Sequence, residues 1–360
     1  MKLKMIKILS IVGTRPNFVK IAPLLKEIKK HRNLESVLVH TGQHYDFGMS
    51  ESFFEELSIP KPNYNLGVGS GSHAWQTAEI MKKLEQVVLA ENPDLIIVVG
   101  DVNSTLAGAL TAAKLYIPIA HVEAGLRSFN RSMPEETNRI LTDHISDFLF
   151  CPTKISVENL KKEGITKGVY NVGDIMYDAL LSNIKIAEKK SKILEKLEIK
   201  KGEYLLLTVH RSSNTDNLNN LQKIIEAVAE SNERIIFPVH PRTKKQIEKL
   251  QLKHWENIKY IEPVGYLDMI VLEKNAKKIL TDSGGVQKES YWLGVPCITL
   301  REETELVETV NFGWNVLVGT DKNKILKEIK KVNFTKKHYD YFGNGKTADK
   351  ILRILVSKIK

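Results

Sequence analysis

Three features of the sequence predict an α/β chain of two doubly wound, Rossmann-like halves. Short β-branched apolar runs alternate with longer amphipathic segments along nearly the whole chain, the pattern of a parallel sheet covered by helices on both faces. At 360 residues the chain exceeds one usual core and suits two. The alternation is interrupted once, by the charged stretch LSNIKIAEKKSKILEKLEIKKG at 181–202, and then resumes.

The elements follow in order. Apolar runs at 6–12, 35–40, 94–99, 117–121 and 148–151 predict the strands of the first half, with helices near 17–31, 73–91, 103–114, 135–145 and 153–163. The stretch 181–202 reads as a surface helix leading to a linker. A second series predicts strands at 203–209, 234–239, 257–261, 277–281 and 296–300, with helices near 217–230, 242–251, 266–275 and 284–292. The expected division is an N-terminal domain over 1–180, a linker over 181–202, a second domain over 203–340 and a C-terminal helix over 341–360 returning to the first domain. Two such halves leave a cleft at their strand ends, where ligands of open α/β sheets bind.

Composition narrows the function. Hydrophobic residues make up 42% and charged residues 27%, ordinary for a globular protein. The net charge of +10 comes largely from Lys alternating with Glu in helix-like runs, read as solvated faces; a field attracting an anionic ligand is the other reading. Dispersed basic residues and 7% aromatics argue against nucleic-acid binding. Cys151 and Cys297 sit in the apolar runs LFCPT and GVPCITL, expected to be buried free thiols in a reducing cytoplasm. MKLKMIKILSIVG runs straight into Thr14-Arg15-Pro16 without a small-residue cleavage site, so a first buried strand is expected rather than a signal peptide. No stretch has the length of a membrane span.

Three carboxylates carry the chemical signal: Asp101 in VVGD, Glu123 in HVEAGLR and Glu135 in MPEETNR. Each follows an apolar run or opens a helix, and acids gathered there suit proton transfer. Asp101 also reads as an N-cap of helix 103–114, and Glu135 as a first-turn acid behind Pro134. GTRPN at 13–17 sets Arg15 to pair with a phosphate, or merely ahead of a Pro-started helix; its single Gly lacks the dinucleotide pattern. In TDSGG at 281–285, Ser283, Gly284 and Gly285 make an anion site at a helix start or a plain N-cap. Glu289, a turn later, suits ribose hydroxyls. His210 and Arg211, and His240 and Arg242, close two strands of the second half. No spacing matches a metal site, and no nucleophile elbow is present.

GTRPNFVK, GDVNSTLAGALTA, HVEAGLRS, PEETNR, HR, PVHP and TDSGGVQKES together resemble the non-hydrolysing UDP-N-acetylglucosamine 2-epimerases, in the family's order from about residue 6 to 320. The resemblance implies the GT-B fold, interconversion of UDP-N-acetylglucosamine and UDP-N-acetylmannosamine, no nicotinamide or metal cofactor, and a homodimer. It assigns catalysis to Asp101, Glu123, Glu135 and His210. It assigns UDP contacts to Arg15, Ser283, Gly284, Gly285 and Glu289, with Lys20, His240 and Arg211 near the site. Two departures stand out. Leu306 and Val307 replace the Arg-Pro of the bacterial pattern, and Trp75 replaces an arginine of a second, activating substrate site, although Gln43 and His44 of that site are present. A UDP-sugar glycosyltransferase, a hydrolysing epimerase and a sugar-nucleotide sensor are the alternatives.

Overall fold

The computed structural model describes residues 5–43, 54, 59–250, 255–331 and 339–359. The chain forms two compact units, Met1–Leu181 with Asp340–Lys360, and Ser182–Tyr339.

The first unit is built on seven parallel strands: β1 Ile6–Val12, β2 Leu34–His40, β3 Tyr64–Asn65, β4 Leu95–Val99, β5 Ile119–Val122, β6 Phe148–Cys151 and β7 Val169–Asn171. Their order is β3-β2-β1-β4-β5-β6-β7. Every residue of LIIVV in β4 is buried, as expected of a parallel strand covered on both faces. β1 pairs with β2 on one side and β4 on the other, so the strand order reverses between β1 and β4. Ligands of open parallel sheets bind outside the carboxyl ends at such a reversal. The C-terminal helix Thr347–Lys358 packs against the helix Arg15–Ile28, and its Ala348 N–H donates to Asp178 Oδ2 at 2.9 Å.

The second unit repeats the plan with six parallel strands: β8 Leu205–Thr208, β9 Ile235–Pro238, β10 Ile258–Ile261, β11 Lys278–Thr281, β12 Cys297–Thr299 and β13 Asn315–Leu317, ordered β10-β9-β8-β11-β12-β13. Its reversal lies between β8 and β11. Lys278, the charged first residue of β11, is buried because its ammonium donates to the carbonyls of Glu328, Ile329 and Lys331. It thereby closes the carboxyl end of the helix Lys322–Lys330.

The charged stretch at 181–202 belongs to two helices, Ile175–Lys190 and Ile193–Leu197; Ile193, Leu197 and Ile199 are buried. Cys151 and Cys297 are free and buried, and burial pushes both thiols up, away from the reactive thiolate. Among the described residues no helix is long and apolar enough to cross a membrane.

Candidate active site

In the first unit the predicted residues gather at the carboxyl ends of β1, β4 and β5. The turn after β1 is locked by Asn17, whose Oδ1 accepts from Thr14 N–H at 3.2 Å and Thr14 Oγ1 at 2.9 Å. Its Nδ2 donates to the Val99 carbonyl at 3.1 Å, tying the turn to the end of β4. Gly13 is required by packing: a methyl there would lie 1.9 Å from Ser104 Oγ. Arg15 and Lys20 are half-buried on the helix that follows.

Asp101 lies just past β4. The N-cap of helix Asn103–Lys114 is Val102, so Asp101 does not cap that helix as its position suggested. Instead Arg139 donates to Asp101 Oδ2 through Nε at 3.0 Å, with Nη2 at 2.9 Å, and Asn138 Nδ2 holds its carbonyl at 2.9 Å. Both come from the helix Pro134–Ile145. Glu123, just past β5, is buried and forms an ion pair with Lys20. Its φ of +75° is left-handed backbone, which costs a non-glycine residue about 1–3 kcal/mol and marks functional sites. Gly100 has φ +73°, and a methyl there would lie 3.3 Å from Lys20 Nζ and 3.4 Å from Glu123 Oε2, so glycine leaves room for that pair. Glu135 is half-buried in the first turn of its helix, as its sequence position indicated. Its neighbour Glu136 is buried and structural, accepting from the N–H groups of Ser128 at 3.0 Å and Phe129 at 2.9 Å.

A buried ionic chain supports these strand ends. His121 Nδ1 lies 2.6 Å from Asp143 Oδ1, and its Nε2 lies 2.8 Å from the carbonyl of Gly100, the residue before Asp101. Asp143 Oδ2 also accepts from Arg127 Nη1 at 2.7 Å, and Arg127 spans to Glu163 with two further bonds of 2.7 Å. Burial works against the Asp143 carboxylate, but His121 and Arg127 outweigh it and hold its pKa below the ordinary carboxylate value.

In the second unit His210 and Arg211 follow β8 and face the turn after β11. Asp282, fully buried, organises both: its carboxylate accepts from the N–H of His210 at 3.1 Å, the N–H of Arg211 at 3.0 Å and Asn214 Nδ2 at 3.1 Å. His210 Nδ1 lies 3.3 Å from Asp282 Oδ1, and 41% of the side chain stays exposed. Desolvation lowers the pKa of His210, Asp282 opposes this, and Arg211 adds to the lowering. The His240 ring stands 5.9 Å from that of His210. The two histidines, with Thr208, Pro238, Val264, Met269 and others, line an open pocket of about 200 Å³.

Ser283 caps the helix Gly284–Trp292, accepting from the Val286 N–H. Glu289 on that helix is buried and accepts from Tyr266 Oη at 2.8 Å. Glu273 is buried close by, and burial with the nearby Glu289 raises its pKa well above the carboxylate range. Of the predicted second-site pair, Gln43 is committed to the fold: its Oε1 accepts from Ser104 N–H at 2.9 Å and Oγ at 2.6 Å. His44 lies outside the described residues. Trp75 is 48% exposed and Leu306 is buried. Among the described residues, no three His, Cys, Asp or Glu side chains group so as to hold a metal ion.

Sequence reasoning missed Asp282, Arg139 and the Asp143 chain. Asp282 and Arg139 stand inside motifs that drew notice, but nothing in the string reveals which buried partners they hold.

A family model for UDP-N-acetylglucosamine 2-epimerase matches residues 26–356. The chain belongs to this family. It is 60% identical, over 97% of its length and 99% of the relative's, to a Methanococcus maripaludis protein named UDP-N-acetylglucosamine 2-epimerase homolog. It is 45% identical, over 97% of its length and 98% of the relative's, to a Pseudomonas aeruginosa enzyme named UDP-2,3-diacetamido-2,3-dideoxy-D-glucuronate 2-epimerase. A crystal structure of the Methanocaldococcus jannaschii UDP-GlcNAc 2-epimerase in complex with UDP-GlcNAc and UDP superposes with a TM-score of 0.91 at 48% identity, covering 98% of this chain and all of that one. The two parallel sheets thus match the GT-B-like architecture of solved epimerases, and the chain is an epimerase of this family.

Proposed function

We propose that this epimerase inverts C2 of UDP-N-acetylglucosamine by eliminating and re-adding UDP. The observation that carries the reading is the cation-paired acids at the β4 and β5 ends, Asp101 with Arg139 and Glu123 with Lys20, beside the β1–β4 reversal. The C2 proton of the sugar is not acidic, because no carbonyl adjoins it. Cleavage of the C1–O bond sends its electron pair to the diphosphate and makes C1 cationic, which acidifies C2–H. A carboxylate takes that proton, leaving a 2-acetamidoglucal and UDP. A proton then returns to C2 on the opposite face, and a diphosphate oxygen re-forms the bond to C1. Asp101, Glu123 and Glu135 serve the proton traffic, which inversion requires on two faces.

The leaving group calls for positive charge and oriented donors. Arg15, His210, Arg211 and the helix start at Ser283, Gly284 and Gly285 supply them in this reading, with Glu289 accepting from the ribose. The pocket lined by His210, His240 and Met269 suits the flat, largely apolar face of a base. The family resemblance adds a homodimer, and the buried thiols fit a reducing cytoplasm.

A second reading concerns the sugar. The 45% identity to an enzyme named for a 2,3-diacetamido uronate supports a substrate carrying further groups at C3 and C6. Both share the 2-acetamido group, C2–H and UDP, so the chemistry is unchanged. The test is to incubate the protein separately with each UDP-sugar and follow the C2 epimer by proton NMR. Turnover of one at least a hundredfold faster assigns the substrate, and no epimer from either overturns the proposal. A glycosyltransferase or sensor yields no epimer, and a hydrolysing enzyme yields stoichiometric UDP.

A further inference from the structure

Glu305 places a carboxylate at the start of the helix Gly284–Trp292. A methyl group at Gly284 would lie 2.8 Å from Glu305 Oε1, so this oxygen packs directly on the first helical residue. Two guanidiniums attend it. Arg301 Nη2 lies 3.0 Å from Oε2, and Arg211 Nη2 lies 3.9 Å from Oε1. The Glu305 and Arg301 side chains are only 9% and 7% exposed. Arg301 Nη1 is buried with no hydrogen-bond partner among the described residues. The Glu305 carboxylate therefore sits between two guanidiniums, at a helix end that itself favours negative charge, and one of the guanidiniums retains an unspent donor nitrogen.

We infer that Glu305 is a built-in counter-ion of the diphosphate position. It holds Arg301 and Arg211 in register when no diphosphate is bound, and its charge loosens their grip when one is. The inference rests on the reading that the diphosphate lies at this helix start. Its chemical logic follows from the reaction, in which the diphosphate must leave C1 and return within one turnover. Binding that favours every bound state equally does nothing for that step. A resident anion keeps the arginines pre-organised while limiting how tightly they clamp the departed UDP.

The test is calorimetric titration of UDP into the unmodified protein and into Glu305→Gln and Glu305→Asp. The Gln variant keeps a side chain of similar size without the charge, and UDP should bind it roughly tenfold more tightly. The Asp variant keeps the charge, and its affinity should stay within about threefold of the unmodified protein. Equal or weaker binding by the Gln variant overturns the inference, as does equal tightening by Asp, which would remove charge as the cause. If the unmodified protein binds no UDP, the diphosphate reading falls and takes this inference with it; if it does bind UDP, the Gln result bears on Glu305 alone. Should the Gln variant fail to fold, Arg301→Gln decides: its UDP affinity should drop roughly tenfold, and unchanged affinity overturns the proposal.

Discussion

Replacing Asp282 tests how the second unit sets His210. Asp282 is the buried acceptor for two successive backbone N–H groups, those of His210 and Arg211, and for the Asn214 amide, at 3.0–3.1 Å. Asp282→Ala strands these three donors, each costing about 1–3 kcal/mol when buried and unpaired, so a loss of about 3–9 kcal/mol is expected. That is a large share of the roughly 5–15 kcal/mol that stabilises a typical protein. Asp282→Asn keeps the shape and one acceptor oxygen but removes the charge, and should cost about 2–3 kcal/mol and remain folded. Turnover of the Asn variant should fall by roughly 10²–10³ because His210 loses the group that orients it.

The pH profile separates orientation from general damage. Asp282 raises the pKa of His210, against the lowering by burial and by Arg211. Without its charge the His210 pKa falls further. If imidazolium serves the leaving diphosphate, activity is lost as pH rises through this pKa, and the Asn variant should lose it at lower pH. Urea denaturation measures the stability change, and NMR-followed turnover across pH measures the rest. Wild-type turnover in the Asn variant, or an alkaline limb that stays put or moves up, would refute the reasoning.

Other expectations follow from the same geometry. The folded pKa of Asp143 is depressed, so its contribution to stability is complete above the ordinary value of 3.8 and is lost as pH falls through the depressed one; the urea-midpoint gap between wild type and Asp143→Asn should shrink below about pH 4. Lys278→Met leaves three carbonyls without their donor and should cost about 2–4 kcal/mol, read as a fall in Tm. Gly100→Ala forces a side chain onto φ +73° beside the Lys20–Glu123 pair; it should cost about 1–2 kcal/mol in backbone strain, read by urea denaturation, and lower kcat with little change in UDP affinity.

Much of the architecture was legible because parallel strands buried on both faces leave uninterrupted apolar runs. LIIVV of β4 and LLLT of β8 are examples. β3, β7 and β13 escaped notice: at two or three residues each, with mostly half-exposed or exposed side chains and, in β13, a buried polar Asn315, they carry too little apolar pattern. The strand ends also foretold where Asp101 and Glu123 lie in the first unit and where His210 lies in the second, since ligands of such sheets sit there. Residue roles were less legible. Asp101 suggested a helix cap, yet it pairs with Arg139, and nothing near Gly13 in the string shows that it must admit Ser104. Such partners lie many residues away in the chain, and periodicity reports the face of an element but not what meets it. The left-handed backbone of Glu123 is likewise invisible in the string, because only glycine advertises that conformation.

The central claim is that C2 loses and regains a proton while UDP is detached from C1. The most direct measurement is incubation with UDP-N-acetylglucosamine in deuterated water, read by proton NMR. The account predicts two UDP-sugars differing at C2, both acquiring deuterium there, with free UDP no more than a trace, and turnover reduced by orders of magnitude in Asp101→Asn, Glu123→Gln and Glu135→Gln. Protium retained at C2 in both sugars, or UDP accumulating in proportion to sugar consumed, would contradict it.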